Sequence, residues 1–172
     1  MKDQIRWKTV YKIDRWASEN DRIMRVQYSE KEAKRLFGIN QHTTFEKNLL
    51  LNEGINELFT LICSSSGTKW DNTNARTGVG SSSTAAQATD TGLLGGSKTF
   101  KAMDATYPTY GTSQKATWKS TYGSSDGNHA WEEFTIVNAS DDTGKNLNRK
   151  VSSQGTKQSG QTWELTIEIT LS

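Results

Sequence analysis

The sequence predicts a mainly β, antiparallel protein carrying one packed helix, on three observations. The clearest is TWELTIEITLS at 162–172, which puts Trp163, Leu165, Ile167, Ile169 and Leu171 on one face and Glu164, Thr166, Glu168 and Thr170 on the other. A period of two is the signature of a strand with one side on a core and one side in water. The second observation is that almost everything after Gly67 breaks into short runs separated by Gly, Ser, Asn and Asp clusters. The third is that one stretch alone, Ile55, Leu58, Phe59 and Ile62, is confidently apolar at helical spacing. A chain of 172 residues suits one domain with an appended arm, and 33% hydrophobic residues is low for a helical core but tolerable for sheets.

Taken in order, residues 1–42 read as an N-terminal arm. Ile5, Trp7, Thr9, Tyr11 and Ile13 alternate with mostly charged positions, ASEND supplies turn residues, and Ile23, Met24, Val26 and Tyr28 resume strand character. This predicts a β-hairpin. Ser29 as N-cap, Glu32 as its box partner and Gly38 as a stop then predict a short helix. The main domain, 43–172, opens with Phe45–Leu51 as a strand feeding a helix capped by Asn52; the competing reading is one longer helix from a box at Thr43 and Glu46. In either case the helix ends at SSSG and lays its stripe on a sheet. ARTGVG, TFKAMDATYPTYG, QKATWKSTYG, AWEEFTIVNAS and LNRKVSSQG follow as strands and turns, with DGN and DDTGKN as turn signals.

Charge and composition exclude several classes. Twenty-one basic against nineteen acidic residues, interspersed, give a net charge of +2 and no one-signed patch for nucleic acid. A single cysteine, Cys63, rules out an intrachain disulfide framework and fits a reducing cytosol. No apolar run reaches the roughly 18 residues of a membrane span, and the N-terminal stretch has no secretory h-region. The expectation is a soluble protein made in the cytoplasm, with no nucleic-acid or membrane partner.

Asn74–Gly96, NARTGVGSSSTAAQATDTGLLGG, is the one stretch that invites a chemical reading. A phosphate loop needs Lys-Ser/Thr after its second glycine, but Gly80 is followed by Ser81, Ser82, Ser83 and Thr84, with no lysine before Lys98. A dinucleotide fingerprint needs a third glycine where Ser83 stands. His42 and His129 share no ligand spacing with Cys63 or a carboxylate, so no metal is expected. The serines lack a nucleophile elbow, and Cys63 reads as a small core residue. Glu164 and Glu168 stand roughly 13 Å apart on a strand, too far for a glycosidase pair, and Glu132 and Glu133 point to opposite faces. All four read as solvated carboxylates. The expectation is no catalytic residue and no cofactor.

Six tryptophans leave a further signal: Trp7, Trp16, Trp70, Trp118, Trp131 and Trp163. Trp118, Trp131 and Trp163 belong on core faces. Trp7 and Trp16 lie in the arm with little local core, which makes Trp7, Tyr11, Ile13 and Trp16 the candidate interface to a protein or a sugar. The alternative is that the arm folds back on its own domain.

Read in order, FEKNLLLNEGINELFTLI, then Gly78, Gly80, Ser81–Ala86, Asp90, Thr91 and Leu93, then EEFTIVNAS, then GQTWELTIEITL, resemble a group of tailed-bacteriophage virion proteins. The group includes capsid decoration (head auxiliary) proteins and some tail-appendage proteins, and the resemblance covers residues 45–172. Where the group usually has a glutamate after Asp-Thr-x-Leu, this chain has LLGGSK. The resemblance implies an antiparallel β-sandwich or β-tulip-like domain with an N-terminal β-hairpin arm. It implies a non-enzymatic protein on the outer head surface of a virion, bridging subunits of the major capsid protein, and a homotrimer. Alternatives are a tail, baseplate or head-fibre component, and a carbohydrate-binding module using exposed Trp and Tyr.

Overall fold

The computed structural model describes residues 6–172; the expected strand position Ile5 lies outside the described residues. Two five-stranded antiparallel sheets form a sandwich. In chain order the elements are β1 (Trp7–Trp16), α1 (Glu19–Ile23), α2 (Glu30–Phe37), β2 (His42–Glu46), β3 (Leu49–Leu50), α3 (Asn52–Cys63), β4 (Arg76–Gly80), β5 (Lys98–Ala102), β6 (Thr109–Thr112), β7 (Lys115–Tyr122), β8 (Glu133–Val137), β9 (Asn146–Val151) and β10 (Thr162–Leu171). One sheet runs β2-β1-β10-β7-β6 and the other β3-β9-β8-β4-β5. The chain passes from the first to the second at Lys47–Asn48, between β2 and β3.

Alternation builds the core as the sequence predicts. Leu165, Ile167 and Trp163 of β10, Tyr11 and Ile13 of β1, and Trp118 and Tyr122 of β7 meet Val79, Phe134, Ile136 and Leu147 of the second sheet. Trp131, just before β8, packs edge-on against Tyr122 and Trp163 with ring centroids 4.7 and 4.8 Å away. Two buried tyrosine hydroxyls are matched across the sandwich: Tyr122 Oη donates to the Thr77 carbonyl at 2.8 Å, and Asn148 Nδ2 donates to Tyr11 Oη at 2.6 Å. Arg15 continues the inward row of β1. Its guanidinium lies 4.5 Å over the Trp163 ring and donates to the Asn40 carbonyl, Thr43 Oγ1 and Gln154 Oε1, tying two loop segments to the strand.

The N-terminal hairpin is corrected. Its first strand forms, but its partners are β10, from Trp7↔Leu171 to Trp16↔Thr162, and β2, from Val10↔Glu46 to Asp14↔His42. The expected turn instead forms most of α1, capped by Ser18, whose hydroxyl accepts from the Asp21 amide, and Met24, Val26 and Tyr28 of the expected second strand lie in no strand. A strand period identifies a strand and says nothing of where its partner lies in sequence. With β1 between β2 and β10, the sheet has no boundary at residue 42, and 1–42 is not an arm apart from 43–172. The helix expected after Ser29 forms as read: the Ser29–Glu32 capping box is closed in both directions and Gly38 ends α2 at φ 74°.

Two further corrections concern facing. On α3 the N-cap is Leu51, without a side-chain bond, rather than Asn52, and the helix is rotated from the expected stripe. Leu58 and Leu61 pack on the core, while Phe59 and Ile62 are exposed at 61% and 77%. The cause is Gly54, where a Cβ would stand 2.6 Å from Leu147 Cα: the helix backbone lies directly on β9 there, and that approach sets its rotation. Cys63, expected in the core, is exposed at the helix end.

The outer face of β10 is also less wet than its pattern implies. Glu164 is buried, beneath the segment that carries α1, with Lys119 Nζ at 2.8 Å, Arg22 Nη1 at 3.0 Å and Arg25 Nη1 at 3.7 Å. Burial pushes its pKa up, but Lys119 and Arg22 outweigh that and hold it below the usual carboxylate value. A lowered folded-state pKa contributes stability that is complete above the unfolded value, about 4.3, and is lost as pH falls through the folded one. Glu164→Gln is expected to lose about 1.5–3 kcal/mol at neutral pH and to flatten the acid limb of a Tm-against-pH curve. An acid limb unchanged by the substitution would show that the three cations do not hold this carboxylate.

Candidate interaction site

The glycine- and hydroxyl-rich stretch resolves into β4 and a loop, Ser81–Ser97, folded over the second sheet. What holds it is a carboxylate expected to be solvated. Glu133, on β8, is fully buried and accepts the backbone amides of Gly95 at 2.6 Å and Leu94 at 3.0 Å. Arg149, on β9 and equally buried, places Nη2 2.7 Å from Glu133, Nη1 2.9 Å from Asp90, and donates to the Thr84 carbonyl at 3.0 Å. Two sheet residues thereby hold both arms of the loop. A charged pair is stable in such a place only when its remaining donors and acceptors are matched, and here the loop backbone supplies them.

The glycines follow from that pair. A side chain at Gly80 would overlap the Glu133 carboxylate, and one at Gly78 would stand 2.7 Å from Thr135 Cγ2 and 2.8 Å from the Phe100 ring. The loop does cradle an anion with its amides, and the anion is the protein's own Glu133. The reading of the Gly-x-Gly as structural rests on this geometry.

At the end of the sandwich where β1 begins and β10 ends, the sheets part around a cavity of about 580 Å³. Its walls are Trp7, Leu58, Trp70, Trp118, Ile169 and Leu171, with the β6–β7 turn at one side. The two deeper indoles already donate, Trp118 Nε1 to the Trp70 carbonyl at 3.0 Å and Trp70 Nε1 to the Lys145 carbonyl at 3.1 Å, so they present only apolar surface inward. Trp7 and Leu171 stay more than a third exposed at the rim. Helix α3, which contributes Leu58 to the wall, turns Phe59 and Ile62 to solvent, and Tyr110 on edge strand β6 is 76% exposed.

Of the four residues expected at an interface, the structure leaves one at the surface. Tyr11 and Ile13 are fully buried between the sheets. Trp16 lies on the outer face of its sheet but is covered, with the Arg25 guanidinium 5.5 Å over its ring. Trp7 alone reaches the rim of the cavity. Phe59 and Ile62 were legible as an apolar stripe, but the stripe reads equally well as core, and only the contact at Gly54 turns it outward. Since Trp16, Trp70, Trp118, Trp131 and Trp163 are all buried, the aromatic platform of a sugar-binding face is reduced to Trp7 and Tyr110.

His42 bonds Asp14 and Thr44 on one sheet face and His129 bonds Thr99 near the other, so they share no site. Among the described residues no group of three or more His, Cys, Asp or Glu is placed to hold a metal, and no helix is long and apolar enough to cross a membrane. No protein-family model, no curated protein and no solved structure matches this chain.

Proposed function

We propose that this chain is a non-enzymatic structural protein of a tailed-phage virion, a decoration protein that seats on the outer head surface and bridges subunits of the major capsid protein. The order of segments over residues 45–172 supports the virion reading. The residues that carry that order also act as scaffold: Gly78 and Gly80 fit the loop to the sheet and Asp90 pairs with Arg149. The observation that carries the assembly reading is the apolar end of the sandwich, where Trp7 and Leu171 are exposed at the rim of a cavity walled by tryptophan, together with Phe59 and Ile62 exposed on the helix that contributes Leu58 to its wall. Clustered exposed apolar groups of this kind mark contact surfaces. The contact is therefore assigned to this end and not to Tyr11, Ile13 and Trp16. Assembly as a trimer remains part of the proposal on the strength of the resemblance.

The test is co-sedimentation of the purified protein with heads that lack it. The wild type is expected to pellet with heads, and Phe59→Glu/Ile62→Glu to stay in the supernatant with affinity lowered at least tenfold, as for loss of two anchoring residues. Because both side chains face solvent, the variant should melt within a few degrees of the wild type. Equal pelleting of both would move the contact off α3. Failure of the wild type to pellet, with labelled protein imaged on tails of intact virions, would replace the head assignment with a tail one.

A further inference from the structure

The charged side chains of this protein are extensively matched: Lys12 with Glu168, Lys98 with Asp142, Lys101 with Asp126 and Lys119 with Glu164 lie within 3.0 Å, and Lys157 Nζ donates to the Gly123 carbonyl and Asn128 Oδ1. Among the lysines without such a match, which include the separate Lys31 and Lys69, Lys47 and Lys150 stand together. Both line one cavity of about 370 Å³, and among the described residues neither amine has a carboxylate or hydrogen-bond partner. The cavity sits where the chain crosses from β2 to β3, beside the Ser83–Ala86 part of the loop.

The third cation on its wall, Arg149, adds no free charge, because Glu133 and Asp90 already neutralise it. What remains is a pair of ammonium groups close enough to perturb one another. Burial first, and the Lys47 charge second, hold the Lys150 amine below its ordinary value. Like charges facing one cavity repel, and a bound anion removes that repulsion. Lys47 is fixed in the position by a left-handed backbone, φ 66°, at the crossover, and β3 is locked by pairing Leu49 with Arg149. Ser83 also lines the cavity, and a serine hydroxyl can donate to an oxyanion.

We propose that the cavity between the β2–β3 crossover and the Ser83–Ala86 loop binds a doubly charged tetrahedral oxyanion, phosphate or sulfate, between the Lys47 and Lys150 amines. Two unmatched cations call for two negative charges, which a single carboxylate does not supply. The cavity is several times the size of such an ion, so a monoester of it is also accommodated. This cavity shares no lining residue with the apolar one, and the proposal does not depend on the chain being a virion protein.

The experiment is a titration of the full chain, followed by amide shifts in ¹H–¹⁵N spectra, with sodium phosphate, sodium sulfate and glycerol 1-phosphate, each against sodium chloride at equal ionic strength. Phosphate and sulfate are expected to give saturable shifts confined to Lys47, Asn48, Ser83–Ala86 and Lys150. Lys47→Gln/Lys150→Gln is expected to weaken binding at least tenfold, while Lys31→Gln/Lys69→Gln, with the same change in net charge, leaves it unchanged. Tighter binding of glycerol 1-phosphate assigns the site to the end of a larger ester, and tighter binding of phosphate to the free ion. Identical shifts with chloride, or equal binding by the Lys47/Lys150 variant, would overturn the proposal.

Discussion

Removing residues 1–42 is expected to unfold the protein. The deletion takes away β1, which is hydrogen-bonded along ten residues to β10 and along five to β2. It strips Tyr11 and Ile13 from the middle of the core, at about 1.5–3 kcal/mol for each buried side chain, and removes the Arg15 contacts to Thr43 and Gln154. It also takes from β2 the one partner strand it has among the described residues and bares one side of β10. Against a total stability of about 5–15 kcal/mol for a domain, the remainder has no margin. The check is thermal melting of 43–172 by circular dichroism: no cooperative transition is expected. A transition close to that of the whole chain would show that β1 is dispensable and that the sheet closes without it.

The second large effect is expected at the Glu133–Arg149 pair. Glu133→Gln keeps the side-chain shape, removes the negative charge that Arg149 faces at 2.7 Å, and sets an amide where the carboxylate now accepts from Leu94 and Gly95. Removing one partner of a buried pair costs about 3–5 kcal/mol, because the other is left uncompensated. Urea unfolding should show that loss, and hydrogen exchange should show Leu94 and Gly95 deprotected before the sheet. Glu133→Leu/Arg149→Met is expected to lose less than the sum of the two single variants, which is the signature of a coupled pair. A Glu133→Gln protein within 1 kcal/mol of the wild type would mean the loop is held by something else.

How far the sequence could be read depended on the range of the interaction. The face of β10 was legible because alternation is local, and α2 because Ser29, Glu32 and Gly38 lie within ten residues of one another. The partner of β1 was not, since Tyr11 pairs with Ile167 and no local period reaches that distance. The rotation of α3 depends on a close approach of Gly54 to Leu147, which a stripe containing Ile55, Leu58, Phe59 and Ile62 cannot reveal. Glu164 looked solvated because it shares its strand face with Thr166, Glu168 and Thr170, and Glu133 because a carboxylate next to Glu132 reads as a strand edge. Their partners, Arg149 and the group of Arg22, Arg25 and Lys119, arrive from separate segments. At the candidate site the missing lysine argued against a nucleotide-binding loop of the Walker type, whereas the group that the loop amides do hold, Glu133, required knowing what stood beneath it.

The pairing of β1 with β10 has a consequence for synthesis. Their ladder joins Trp7 to Leu171 and Trp16 to Thr162, so β1 has no permanent neighbour on that side until the long segment between the two strands, and β10 itself, have been translated. Contacts so distant along the chain close slowly, because the intervening segment must be ordered first. Until then β1 offers Tyr11 and Ile13, and the nascent polypeptide carries an apolar, β-prone stretch in the open for the time that about 150 residues take to be added at roughly 5–20 per second. Native structure in this sheet therefore waits for β10. The alternating Lys8, Lys12 and Asp14 along β1 are the charges that stand between that waiting strand and aggregation.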